Sequence, residues 1–211
     1  MEYLSFNAII VSSIPTFGYF LACLFYSQFQ LKGKNDNVHV TNSSRNAITT
    51  AFGNMFFVCP LITYYTKSNI IRLPYVCLGI FIIDTIEYFL HYTYHLNLYI
   101  YHNIHNFHHK PHPINPYIAL CNNEYELVIT TPLILICFLI FKITYIEYII
   151  ITTLAIIATV CDHTYTSNRK FHILHHNNNK NTNFQQPFLT YWDYICGTYN
   201  KHSKIKIPFV P

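Results

Sequence analysis

The chain has 211 residues, of which 52% are apolar and only 10% charged. That is well under the quarter usual for soluble domains, so lipid is the expected solvent for much of it. The formal charge of +4 comes from 13 scattered Lys and Arg that form no run, which excludes a nucleic-acid surface.

In chain order, residues 7–29 are uncharged and long enough to cross a ~30 Å hydrocarbon core. A polar linker follows over 30–46. Residues 47–66 are again uncharged, with Gly53 and Pro60 inside, which membrane helices tolerate. After a short KSNIIR turn, residues 73–90 form a third apolar segment that contains Asp84 and Glu87. A further apolar region, 127–161, breaks near Lys142 into two pieces, of which the shorter, 127–141, could be re-entrant. Seven cysteines without a C-x-x-C pair suit a reduced compartment better than a disulfide framework. The first residues, MEYLSFNAII, lack the basic start of a signal peptide and are expected to be retained.

Thirteen histidines concentrate the chemistry. The pattern His105-x-x-His108-His109 recurs as His172-x-x-His175-His176, and two chance copies are expected only about once in 10³ sequences of this composition. The i, i+3, i+4 spacing brings three rings towards one side of a helix, and Pro111 and Pro113 end the first of these helices near Lys110. On the third apolar segment Asp84, His91 and His95 fall within about 40° of one another, with Glu87 at the edge.

Lone histidines are usually surface or core residues, and His39, His112 and His202 are read so; His102 lies outside the pattern. Eight clustered imidazoles would repel if protonated and would need partners for both nitrogens if neutral. Divalent metal resolves both problems. His163, at the end of the last apolar segment, makes nine ligands: His91, His95, His105, His108, His109, His163, His172, His175 and His176. Nine imidazoles imply two metals with four or five each. Asp84, Glu87 and Asp162 are expected to accept N–H bonds from ligand imidazoles and fix their tautomers. Ligand type allows zinc, whereas open positions on such a site suit iron and O2.

If both clusters share one face, that face also holds Lys32, Lys34, Arg45, Lys110, Arg169, Lys170, Lys180, Lys201, Lys204 and Lys206, against Lys67, Arg72 and Lys142 opposite. The positive-inside rule then puts the histidines on the cytosolic side. The expected fold is all-α, a single membrane domain over 1–211: a helical bundle of four or five apolar segments under a cytosolic histidine-rich helical cap that holds a dinuclear metal site.

These residues resemble the fatty acid hydroxylase superfamily, which includes sterol desaturases, methylsterol oxidases and fatty acid hydroxylases. The resemblance runs from Asp84-x-x-Glu87-Tyr88 and His91-x-x-x-His95 through Leu98-Tyr99, His105-x-x-His108-His109, Glu126 and Asp162-His163. It continues to His172-x-x-His175-His176 and Trp192-Asp193…Gly197-Thr198. Tyr92 stands where many members carry Arg, and Gln185 where Gly is common.

The resemblance implies a membrane hairpin over 1–72 and a catalytic region over 73–211. It further implies two Fe ions, O2 as co-substrate, and a sterol or fatty-acyl C–H bond as target, with the spacing of the first histidine pair leaning towards sterols. It implies a b-type cytochrome and its NAD(P)H reductase as electron donors, since no G-x-G-x-x-G or haem motif is present, and an endoplasmic reticulum address. A membrane metal transporter or metal-binding protein, with ligands at mid-membrane, and a degenerate family member are the competing readings.

Overall fold

A computed structural model of the chain describes residues 6–27, 37–66, 68–111, 114–164, 171–177, 181–184 and 188–200. These form helices and connecting turns, with no strand among the described residues. His112, His202, Gln185 and most of the cationic residues counted for orientation lie outside the described residues; Arg45, Arg72, Lys110 and Lys142 lie within them.

Helix α1 (Phe6–Ser27) packs along α8 (Tyr145–Asp162), where Gly18 lets its backbone approach Thr153 and Ile157. Helix α2 (Asn37–Gly53) runs through a wider turn at Asn54–Val58 into α3 (Cys59–Thr66). It begins ten residues before the apolar segment expected at 47–66, inside the stretch expected as a linker. The polar side chains there find partners only in the tertiary structure. Ser43 Oγ meets Tyr19 Oη at 2.9 Å and accepts the Leu120 N–H, while Asn46 Nδ2 donates to the carbonyls of Leu120 and Asn122.

Helix α4 (Leu73–Leu96) opens on Pro74, whose missing N–H costs nothing in a first turn. The α4 and α8 backbones come close at Gly79, where an added Cβ would stand 2.3 Å from Ile151 Cδ1. Arg72, just before α4, donates to both oxygens of the fully buried Glu147 at 2.7–2.9 Å and to the Lys142 carbonyl. Glu147 also completes a capping box with Thr144 at the start of α8. One charge cluster thus ties the N-termini of α4 and α8 to the turn after α7 (Glu124–Ile140). The histidines lie at the opposite end, about 27 Å along α4 at 1.5 Å per residue.

Among the described residues three helices are long and apolar enough to cross a membrane: Asn37–Thr66, Leu73–Leu96 and Tyr145–Asp162. Helix α7, at 17 residues, is one residue shorter than α8. Large apolar side chains such as Phe17, Leu24, Phe57, Val128 and Ile140 point outwards from several helices, the opposite of a soluble bundle. The chain is an all-helical integral membrane protein.

The remaining helices are short: α5 (Leu98–Ile100), α6 (Asn106–His109), α9 (Phe171–Asn177) and α10 (Tyr191–Ile195). The first three gather at the C-terminal ends of α4 and α8, and α10 packs on the middle of α4 through Phe81, Thr85 and Phe89. All seven cysteines are free thiols.

Candidate metal centre

All nine expected histidines converge there, eight of them buried and His95 half-buried. They divide into two sets. His91, His95, His105, His109 and His175 form one, and His108, His163, His172 and His176 the other; within each, the donor nitrogens lie within 4.8 Å of one another. His102 is exposed and outside both sets, and His39 packs on Phe107 instead.

The division follows helix geometry. In each repeated motif the first and last histidines, four residues apart, share a set. The middle one points 100° away from the last and joins the other set. His91 and His95 are a third such i, i+4 pair. A wider helical turn over Tyr101–His105 precedes the first motif, a local distortion common at functional sites.

The fixed nitrogens show what the free ones are for. Nδ1 of His91, His163 and His175 bonds the carbonyls of Phe184, Thr159 and Thr182 at 2.7–2.8 Å, and that of His108 reaches the Cys121 carbonyl at 3.3 Å. A carbonyl oxygen only accepts, so each Nδ1 carries the proton and each Nε2 presents a lone pair inwards. His105 Nδ1 donates to Glu126 Oε1 at 2.8 Å. Burial, then the neighbouring imidazoles, hold His105 well below its ordinary pKa, so this contact is a hydrogen bond from a neutral ring and not an ion pair.

Burial lowers five more of the rings. Burial, followed by the charge of His163, pushes His108 down to about 3; burial pushes His163 to about 4. His109, His172 and His176 are lowered further.

Nε2 atoms also crowd one another: His95 to His109 and His109 to His105 at 3.1 Å, and His172 to His176 at 2.9 Å. Metal–imidazole bonds of about 2.0–2.1 Å place adjacent nitrogens about 2.9 Å apart at right angles and about 3.4 Å apart in a tetrahedron. The observed spacing falls in that range. Nε2 of His91 and of His163 is buried with no hydrogen bond. The donor set therefore fits two metal ions, with five and four imidazoles available.

The carboxylates divide differently from expectation. Glu126, 21 residues beyond His105 in sequence and part of the family resemblance but given no role at the site, orients the His105 ring. Asp84 accepts the backbone N–H groups of Phe188 and Leu189 at 3.1 and 2.9 Å, which ties the C-terminal segment to α4. Glu87 makes no hydrogen bond to an imidazole among the described residues, against its expected role. Asp162 is buried at the end of α8, beside His163.

A cavity of about 210 Å³ leads from His91, His105 and His108 towards the apolar helices, lined by residues of α2, α4, α7 and α8. Because His91 and His105 belong to one set and His108 to the other, its inner end touches both.

The fatty acid hydroxylase family model matches residues 76–198, more than half of the sequence. The chain belongs to the fatty acid hydroxylase family. Similar proteins include the sphingolipid C4-hydroxylase sur2 of Schizosaccharomyces pombe, 33% identical over 133 residues, covering 56% of this chain and 45% of the relative. The Saccharomyces cerevisiae sphingolipid C4-hydroxylase SUR2 is 34% identical over 134 residues, covering 57% and 38%. Sphinganine C4-monooxygenase 2 of Arabidopsis thaliana is 33% identical over 140 residues, covering 60% and 54%. The chain spans about half the length or less of these relatives, whose names point to sphingolipids and not to sterols. No solved structure matches. Within the family region lie all nine histidines, Glu126 and the tail that anchors His91.

Proposed function

We propose that the chain is a membrane oxygenase that binds two iron ions and hydroxylates a C–H bond of a long-chain lipid, a sphingoid base or its derivative ahead of a sterol. The overall reaction takes O2, two electrons and two protons, and returns one hydroxylated carbon and one water. The observation that carries this reading is the packing of nine imidazoles into sets of five and four around the inner end of one cavity.

The iron pair, when bound, supplies O2 activation and the oxidising power for C–H cleavage. The protein's share is positioning. Backbone carbonyls and Glu126 hold the rings so that Nε2 lone pairs converge, burial keeps bulk water out, and the cavity presents a single carbon of the substrate. Its walls belong to helices with lipid-facing sides, which favours entry from the bilayer.

The electron donors in this reading are a b-type cytochrome and its NAD(P)H reductase, acting at a cytosolic endoplasmic reticulum face. The ligands cluster at helix ends and not at mid-membrane, which favours an enzyme over a transporter. The test is expression in a yeast lacking its own sphingolipid C4-hydroxylase, with lipid mass spectrometry and metal analysis of purified protein. A new hydroxylated sphingoid base and about two irons per chain are expected. Absence of any oxidised lipid in protein that holds both metals would overturn the reading.

A further inference from the structure

Glu87 lines the cavity one helical turn before His91, on the same side of α4. Among the described residues neither of its oxygens has a hydrogen-bond partner. No Lys or Arg is among the lining residues. The cavity's second carboxylate, Glu126, already accepts from His105. Thr152 and Thr159 hydroxyls donate to carbonyls of their own helix, from Tyr148 and Ala155, and need nothing from a ligand. Glu87 is thus a cavity-facing acid with its bonding capacity unspent. At this depth an uncompensated carboxylate is costly, so such residues mark substrate pathways and seek a cation.

We propose that Glu87 is the headgroup site for a long-chain amine. Its carboxylate pairs with the substrate's ammonium inside the cavity and thereby selects a 2-amino alcohol of the sphingoid type over a neutral alcohol or an N-acylated lipid. The inference deepens the oxygenase reading and rests on it for regiochemistry. One helical turn separates Glu87 from His91, about 6 Å. With standard bond lengths, a carbon two bonds beyond an amine-bearing carbon lies about 4 Å from the nitrogen. An ammonium held at Glu87 therefore leaves carbons near the head, and not the far end of the tail, beside the histidines. The names of the relatives, C4-hydroxylases and C4-monooxygenases, agree with that position.

The experiment measures binding by the full chain in nanodiscs under anaerobic conditions, which prevents turnover. The probes are sphinganine, N-acetylsphinganine and octadecanol, followed by native mass spectrometry. Wild type is expected to bind sphinganine at least tenfold tighter than the two uncharged lipids. Glu87→Gln should remove that preference by weakening sphinganine binding most, and Glu87→Asp should keep part of it. Equal binding of all three lipids to wild type would overturn the proposal, as would a Glu87→Gln protein that retains the preference. Should Glu87→Gln fail to fold, the wild-type series decides alone. Metal content and lipid oxidation are read separately. Amine-selective binding in a chain that holds no metal would sink the oxygenase and spare the headgroup site. Oxidation without amine selectivity would do the reverse.

Discussion

His108 and His109 are neighbours in the chain, yet their rings stand at 82° with centroids 5.7 Å apart and serve different donor sets. His175 and His176 do the same at 88° and 5.8 Å, with the sets exchanged. Each short helix therefore contributes to both sets and stitches them together.

That arrangement makes metal loading divisible. His163→Ala leaves its set with three imidazoles and is expected to reduce bound metal from about two to about one per chain. His95→Ala leaves four in the other set and should hold both ions, the affected one more weakly. Metal analysis after desalting checks the pair, and loss of both ions from His95→Ala alone would contradict it. Activity should fall by more than a hundredfold in the His163 variant.

Glu126 acts on the metal through His105. Replacing a carboxylate that orients a ligand imidazole typically costs 10–100-fold in metal affinity. Glu126→Ala should lose about that much in competition with a chromogenic chelator, and Glu126→Gln, which still offers an acceptor oxygen, should lose less.

Acid should unfold the metal-free protein. His105, His108, His109, His163, His172 and His176 all have lowered pKa values in the fold, so the unfolded chain binds more protons than the folded one between the ordinary value of about 6.5 and the folded values. Their contribution is complete above about 6.5 and is lost as pH falls below it, down to about 3 for His108 and about 4 for His163. Each histidine costs up to about 1.4 kcal/mol per pH unit in that window. Thermal melts of chelator-treated protein should drop steeply between pH 7 and 5. Metal-loaded protein should resist to lower pH, because bound ions compete with the protons.

Arg72 should matter for stability and not for metal content. Its partner Glu147 is fully buried while the Arg72 side chain is a third exposed, so stranding Glu147 costs less than the ~3–5 kcal/mol of a wholly buried pair. Arg72→Met is expected to lower the melting temperature in detergent while retaining both ions. Unchanged stability would show that Glu147 is satisfied by Thr144 and the backbone alone.

The site was largely legible because histidine spacing carries its own chemistry. Six of the nine residues follow from the two repeated motifs, two from the His91/His95 spacing and one from the position of His163, and the four-and-five division from counting. The interleaving was harder: i+3 and i+4 positions look like one face until the 100° between them is set against two separate ions. The role of Glu126 was hidden because only the fold brings α7 against His105. The helical start at Asn37 was hidden for the same reason. A stretch such as VHVTNSSRN reads as a loop until Tyr19 and the backbone at Leu120 and Asn122 supply partners for Ser43 and Asn46. Glu87 was singled out by its acidity at membrane depth, but its neighbourhood, and so its job, became visible only in the cavity.

The His91 ring is held by the Phe184 carbonyl, while the Phe184 N–H is held in turn by Asp193, which Thr198 also contacts. During synthesis, then, the earliest histidines emerge long before the strap that steadies them. The hydrogen bonds that steady His91 are complete only once residue 198 has been made, so the five-imidazole nest is finished late in synthesis, after the chain's apolar helices.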